Sequence, residues 1–201
     1  MPYIVATGTE GVGKSTLMAG LRERFPGSLS FREPGGTPMT KDLRQFLLTN
    51  LASITPLEQL MMFTTDRVVL NIAELRRALE AGTLVLSDRS FLDTIVYQCM
   101  VMHAADVGWY LDLLHNLHFP FPEVVLDLQL DPAIGCARRR RAGEMNDLDR
   151  QPLEFHRKVR AALDQLPSIL PHIHFVPINA KQPAEQMLEE AVSAINHHLG
   201  R

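Results

Sequence analysis

Few features of this 201-residue chain place it in an oxidising compartment, on a polyanion or in a bilayer. Only two cysteines occur, Cys99 and Cys136, without CxxC spacing, which excludes a disulfide framework or a cysteine-built zinc site. The formal charge of -3 provides no global basic field, so a nucleic-acid groove is not expected. Any anionic ligand must be held by a local concentration of positive groups. No apolar run approaches the ~20 residues that cross a bilayer, and no charged-then-apolar leader precedes the first apolar run. These absences predict a soluble protein of a reducing compartment, the cytoplasm, without membrane or nucleic-acid partners.

What is present is a chain 46% hydrophobic and 21% charged, enough to bury one substantial core. Short apolar runs predict strands at Tyr3–Thr7, Leu29–Arg32, 84–87, 124–128 and 173–177. Helical patterns lie between them, which implies right-handed crossovers and a mainly parallel α/β sheet covered on both faces. Leu17, Leu21 and Phe25 recur at i, i+4 and i+8 and predict a helix from Lys14 to about Phe25. Thr55-Pro56-Leu57-Glu58 has the form of a capping box with proline at the first helical position, opening a long helix through Leu79. Asp131-Pro132 opens another that runs toward the four arginines at 138–141. Without repeats or a linker, residues 1–201 read as a single domain.

"GTEGVGKST" at 8–16 joins the first strand to the first helix and satisfies the G-x-x-x-x-G-K-[S/T] pattern. Its glycines let the backbone curl until several N–H groups point inward, and the helix N-terminus adds partial positive charge. Gly8, Thr9, Glu10, Gly11, Val12, Gly13, Lys14, Ser15 and Thr16 are therefore read as a phosphate-binding loop, the alternative being a glycine turn with an exposed lysine. Lys14 would reach the β and γ phosphates, and the Ser15 hydroxyl would ligate Mg2+. The acid Glu10 is at odds with an anion cradle.

Other stretches converge on the same sheet edge. "SDRS" at 87–90 closes the third strand, so Asp88 could orient Mg2+ through water and Arg89 could fork onto a phosphate; a surface ion pair is the alternative. "REPGGT" at 32–37 joins Arg32 to a Pro-Gly-Gly turn, which serves close backbone approach or an ordinary turn. Phe63 and Arg67 share one helix face. Together they could stack a base and donate to a carbonyl, favouring thymine or uracil over cytosine; the alternative is a core phenylalanine beside a surface arginine. The arginines at 138–141 fan at about 100 degrees each, so they cannot all face one cleft. Some could cover a transferring phosphoryl group as a lid, or all could complement the helix dipole.

With these pieces in order the chain resembles the thymidylate kinase family of P-loop nucleoside monophosphate kinases. The resemblance is carried by "GTEGVGKST", "REPGGT", "MMFTTDR", "SDRSFLDTIVYQ", "LDPAIGCARRRRAGE" and "INAKQPAE". It implies a P-loop NTPase fold with a five-stranded parallel core and an arginine-rich lid near 138–150. It further implies a homodimer, ATP and Mg2+ as cofactors, and phosphorylation of dTMP to dTDP. Phe63 looks like the base-stacking residue, Arg67 the thymine-carbonyl donor, Thr94 a second base contact and Tyr97 the ring beside the deoxyribose. Arg32, Pro34 and Arg89 would serve the acceptor, Glu10 its 3'-hydroxyl, and Lys14, Arg89, Arg138, Arg140 and Arg141 catalysis, with Ser15 and Asp88 at the metal. Thr7, Ser90 and the "MNDLDRQ" lid text depart from the family pattern. A deoxynucleoside kinase, with Glu33 as base for a sugar 5'-hydroxyl, and a non-catalytic nucleotide-binding regulator are the competing readings.

Overall fold

The structure, a computed structural model, describes residues 2–143 and 145–200. Met1, Arg201 and Glu144, the last within the expected 138–150 lid, lie outside the described residues. The elements run β1 (Tyr3–Thr7), α1 (Lys14–Arg24), β2 (Leu29–Arg32), α2 (Lys41–Asn50), α3 (Pro56–Leu70), α4 (Arg76–Glu80), β3 (Val85–Asp88), α5 (Phe91–Thr94), α6 (Val107–Asn116), β4 (Val124–Gln129), α7 (Pro132–Ala142), α8 (Leu153–Leu163), α9 (Leu166–Ile169), β5 (His174–Asn179) and α10 (Ala184–Leu199). A π-helical stretch, Asn71–Leu75, joins α3 to α4, and another, Ile95–Val101, prolongs α5.

The five strands pair in the order β2-β3-β1-β4-β5, all parallel. β1 is central and wholly buried. Its side chains alternate between the two faces: Tyr3 and Val5 enter the core on one side, and Ile4 and Ala6 join Leu17 and Leu21 on the other. The five strands expected from the sequence are present; β1 and β2 have the expected bounds, and the other three have shifted ends. β3 extends to Asp88, β4 to Gln129, and β5 begins at His174 and ends at Asn179. The reason is that Gln129 still pairs with Asn179, so the ladder outlasts the apolar pattern that announced it.

The capping box at 55–58 forms: the Thr55 N–H donates to Glu58 Oε2 at 2.6 Å, and the Glu58 N–H to Thr55 Oγ1 at 3.3 Å. It fixes the start of α3, the helix that carries Phe63 and Arg67. β1 lies between β3 and β4, where successive crossovers leave the sheet in opposite directions, so a crevice opens at its carboxyl end. Among the described residues, no helix is long and apolar enough to cross a membrane.

Candidate active site

The loop after β1 wraps the start of α1, with Gly13 in left-handed conformation at the helix cap. Lys14 is buried, and its Nζ donates to the carbonyl oxygens of Gly8 (2.7 Å) and Thr9 (2.9 Å). Burial, with Arg89 nearby, lowers the Lys14 ammonium to about 8 against the opposing pull of Glu10, Asp88 and Asp93. The loop rests directly on α7. A Cβ at Gly11, whose φ is +73°, would stand 2.2 Å from the Gly135 carbonyl oxygen, and one at Gly135 would stand 2.3 Å from that of Glu10. A glycine inside a helix costs roughly 1 kcal/mol relative to alanine; here it allows backbone-to-backbone contact between the arginine-bearing helix and the phosphate loop.

Glu10 is not a free acid. Arg89 follows β3 with φ +75°, an uncommon conformation for a residue with a side chain, and its N–H is held by the Ala6 carbonyl at 3.0 Å. So placed, the guanidinium pairs with both Glu10 and Asp93 and lies 5.9 Å from the centre of the Tyr97 ring. Burial alone would raise the Glu10 carboxyl, but Arg89, then Lys14 and Arg139, override it and hold the group at about 2. Because this lies below the ordinary 4.5, the pairing contributes stability that is full above that value and is lost as pH falls toward about 2.

A narrow pocket lies beside this pair, lined by Glu10, Arg32, Pro34, Phe63, Arg67, Arg89, Thr94 and Tyr97, all named from the sequence. Arg44, Gln98, Asn146 and Leu148 also line it, without a motif that marks them individually. Arg44 carries no motif signal, but as the fourth residue of α2 it reaches back over the "REPGGT" turn, donating to the Pro34 carbonyl at 2.7 Å. The turn is fixed from the other side by Asp66 Oδ1, which accepts from the Gly35 N–H at 2.8 Å.

Arg67 is fully enclosed, not a surface arginine. Its Nε donates to Glu33 Oε2 (2.6 Å), Nη1 to Thr94 Oγ1 (2.7 Å) and the Tyr110 hydroxyl (3.5 Å), and Nη2 to the Ser90 carbonyl (2.8 Å). Guanidinium has five N–H groups, so this geometry fixes the plane of the fork and commits all but one. Burial works against the Arg67 charge, but Tyr110 and Glu33 hold it above the ordinary arginine range. Burial pushes the Glu33 carboxyl up to about 7, opposed by Arg67. Glu33 therefore orients Arg67, and the Thr94 hydroxyl accepts from it, which gives Thr94 a supporting part.

On the other side of the loop an open cleft is lined by Gly11, Val12, Gly13, Lys14, Ser15 and Thr16, with Arg138 and Arg139. The arginine run divides as helical spacing requires. Arg139 forks onto Asp149 at 2.9 and 2.7 Å, and Arg138 donates to the Ala180 carbonyl at 3.2 Å. Arg140 and Arg141 are exposed and do not line this cleft, so the structure does not bring them to the site; Arg139, one residue earlier, takes the position. Beyond α7, Asn146 and Asp149 exchange side-chain-to-backbone bonds of 3.0 Å, and Leu148 packs against the cluster containing Phe63. At the carboxyl end of β3, Asp88 is buried with Oδ1 unpartnered and Oδ2 3.4 Å from Arg32 Nε.

The family model described as thymidylate kinase matches residues 7–191. Among curated proteins, the thymidylate kinase of Deinococcus radiodurans is 32% identical over 203 residues, covering 96% of each chain. That of Thermomicrobium roseum is 38% identical over 166 residues, covering 79% of this chain and 78% of its own. The crystal structure of thymidylate kinase from Ehrlichia chaffeensis superposes with a TM-score of 0.78 at 20% identity, covering 96% of this chain and 98% of that one; at that identity the match establishes the fold.

Proposed function

The chain belongs to the thymidylate kinase family, whose reaction, phosphorylation of dTMP to dTDP with ATP as donor, is its function, and we propose that the two halves of the cleft divide that reaction between them. The observation that carries this reading is the pairing of Glu10 with Arg89: the loop that cradles ATP on one face holds, through its acid, the arginine that faces the acceptor pocket on the other.

In this mechanism the backbone of residues 8–16 and Lys14 hold the β and γ phosphates of ATP. Phe63 stacks the thymine, the free N–H of Arg67 meets a base carbonyl, and Tyr97 lies beside the deoxyribose. Arg32 and Arg89 hold the dTMP phosphate, with Arg44 at its rim, while Glu10 keeps Arg89 in place and reaches the sugar 3'-hydroxyl. A phosphate oxygen of dTMP attacks the γ phosphorus in line, the bond to the bridging oxygen breaks, and ADP leaves. The acceptor phosphate, with a second pKa near ~6, is already largely ionised at neutral pH, so no general base is needed. Arg138 and Arg139 stabilise the charge on the transferring group. The unpartnered Asp88 Oδ1 and the Ser15 hydroxyl at the cleft fit a hydrated cation; Mg2+ held there would neutralise phosphate charge. Residues 1–201 act as one kinase domain with its lid near 138–150, in the cytoplasm, which suits two free cysteines. Glu33, bound to Arg67, is engaged in a way that disfavours its use as a base on a nucleoside. Turnover of dTMP against AMP, dCMP, dGMP and thymidine tests the reading; equal turnover of any of these would overturn it.

The active species is a homodimer. Leu57, Met61 and Ile72 are exposed apolar side chains along α3 and its extension, spaced so that they form one stripe. A second copy supplies the matching surface of an isologous contact. Sedimentation is expected to give twice the mass of one chain, and the paired substitutions Met61→Asp and Ile72→Asp to reduce it to one. An unchanged mass in the variant would place the contact on another face.

A further inference from the structure

Gln98 lines the base pocket beside Phe63, Arg67 and Thr94 and is itself buried. A side-chain amide can turn either its oxygen or its nitrogen toward a ligand, and the two choices read opposite hydrogen-bonding edges. Here a neighbour decides. Gln59, one helical turn before Phe63 and also buried, donates from Nε2 to the carbonyl oxygens of Leu51 (3.0 Å) and Ile54 (3.3 Å). Carbonyls only accept, so both Nε2 hydrogens of Gln59 face that turn and its Oε1 must face away. That oxygen accepts from Gln98 Nε2 at 3.1 Å. The nitrogen of Gln98 is thereby anchored, and its Oε1 has no hydrogen-bond partner among the described residues.

We infer that Gln59 is a positioning residue for base specificity: it locks the Gln98 amide with its carbonyl oxygen toward the pyrimidine, as an acceptor. This rests on the assignment of the pocket to the base. With Arg67 donating to a base carbonyl, Gln98 completes a donor-acceptor pair that matches the O4 and N3–H edge of thymine. Cytosine opposes it at both points, presenting an amino donor to Arg67 and an unprotonated N3 to the Gln98 oxygen. Uracil shares the thymine edge, so the lock distinguishes imide from amidine and does not act on the 5-methyl group. Without Gln59 the Gln98 amide can rotate, and the discrimination against cytosine weakens.

The test is kcat/KM for dTMP, dUMP and dCMP in the wild-type protein and in Gln59→Met, which fills the space without donating or accepting. The preference for dTMP over dCMP is expected to fall about tenfold, while that for dTMP over dUMP stays within about twofold. The double variant with Gln98→Met should be no less selective than Gln98→Met alone, because Gln59 acts through Gln98. If Gln59→Met does not fold, Gln59→Asn keeps an amide but withdraws it from Gln98 and should show the same loss. An unchanged dTMP:dCMP ratio, or equal loss of both ratios, would overturn the inference. A wild-type protein with no preference for dTMP over dCMP would overturn the pocket assignment itself, and the inference with it.

Discussion

Lys14→Ala is expected to lower kcat by a factor on the order of 10^2 to 10^3, the scale of removing a preorganised group that meets charge developing on a transferring atom. The fold should survive. Lys14 contributes its stem to a buried position, but its two hydrogen bonds go to carbonyls of its own loop, so its loss breaks no hydrogen bond between distant elements. Binding of dTMP should remain within a few fold of wild type, since Lys14 lines the cleft proposed for ATP and not the pocket proposed for the base. The check is kcat at saturating ATP and dTMP, with a melting curve alongside. A variant that folds and retains more than about a tenth of wild-type kcat would remove Lys14 from the phosphoryl-transfer step.

Arg67→Met has the second large effect, on both activity and stability. The guanidinium is 3% exposed and its partner Glu33 is 1% exposed, so the substitution strands a buried carboxyl. Breaking a buried pair from one side costs about 3–5 kcal/mol when the remaining charge has nowhere to go. Glu33 can escape by protonation, because burial already pushes its carboxyl to about 7 with the arginine present. A carboxyl raised above its ordinary 4.5 favours the folded state fully at pH below that value and loses this contribution as pH rises through the folded-state pKa. The melting temperature of Arg67→Met should therefore fall further below wild type at pH 8 than at pH 6. The kcat/KM for dTMP should drop about a hundredfold at either pH, since the base loses its donor and the fork no longer braces Thr94. A loss of stability independent of pH would mean that Glu33 finds another partner.

The parallel sheet and the phosphate loop were legible because each rests on local chemistry. Apolar runs announce strands, and glycines with lysine and serine announce an anion cradle between strand and helix. Phe63 and Arg67 could be paired from helical spacing alone. The arginine run shows the limit of spacing: 100 degrees per residue dictated that the four arginines separate, but not that Arg138 and Arg139 would be the two at the cleft, which depends on where Gly135 seats the helix. Arg44, Gln59 and Gln98 were not legible. Arg44 acts because α2 folds back over the turn, and the glutamines act through each other across 39 residues of chain. Sequence spacing carries no record of such contacts. The Gly11 and Gly135 contact left a trace, a glycine in a predicted helix, whose partner only the fold supplies.

In the proposed mechanism one loop serves both substrates, its backbone and Lys14 holding ATP and its acid, through Arg89, positioning dTMP. Glu10→Ala, titrated separately with dTMP and with ATP, tests it most directly. The dTMP affinity is expected to weaken by about tenfold or more, with ATP affinity within about twofold of wild type. Unchanged dTMP affinity and turnover, or a loss confined to ATP, would contradict it.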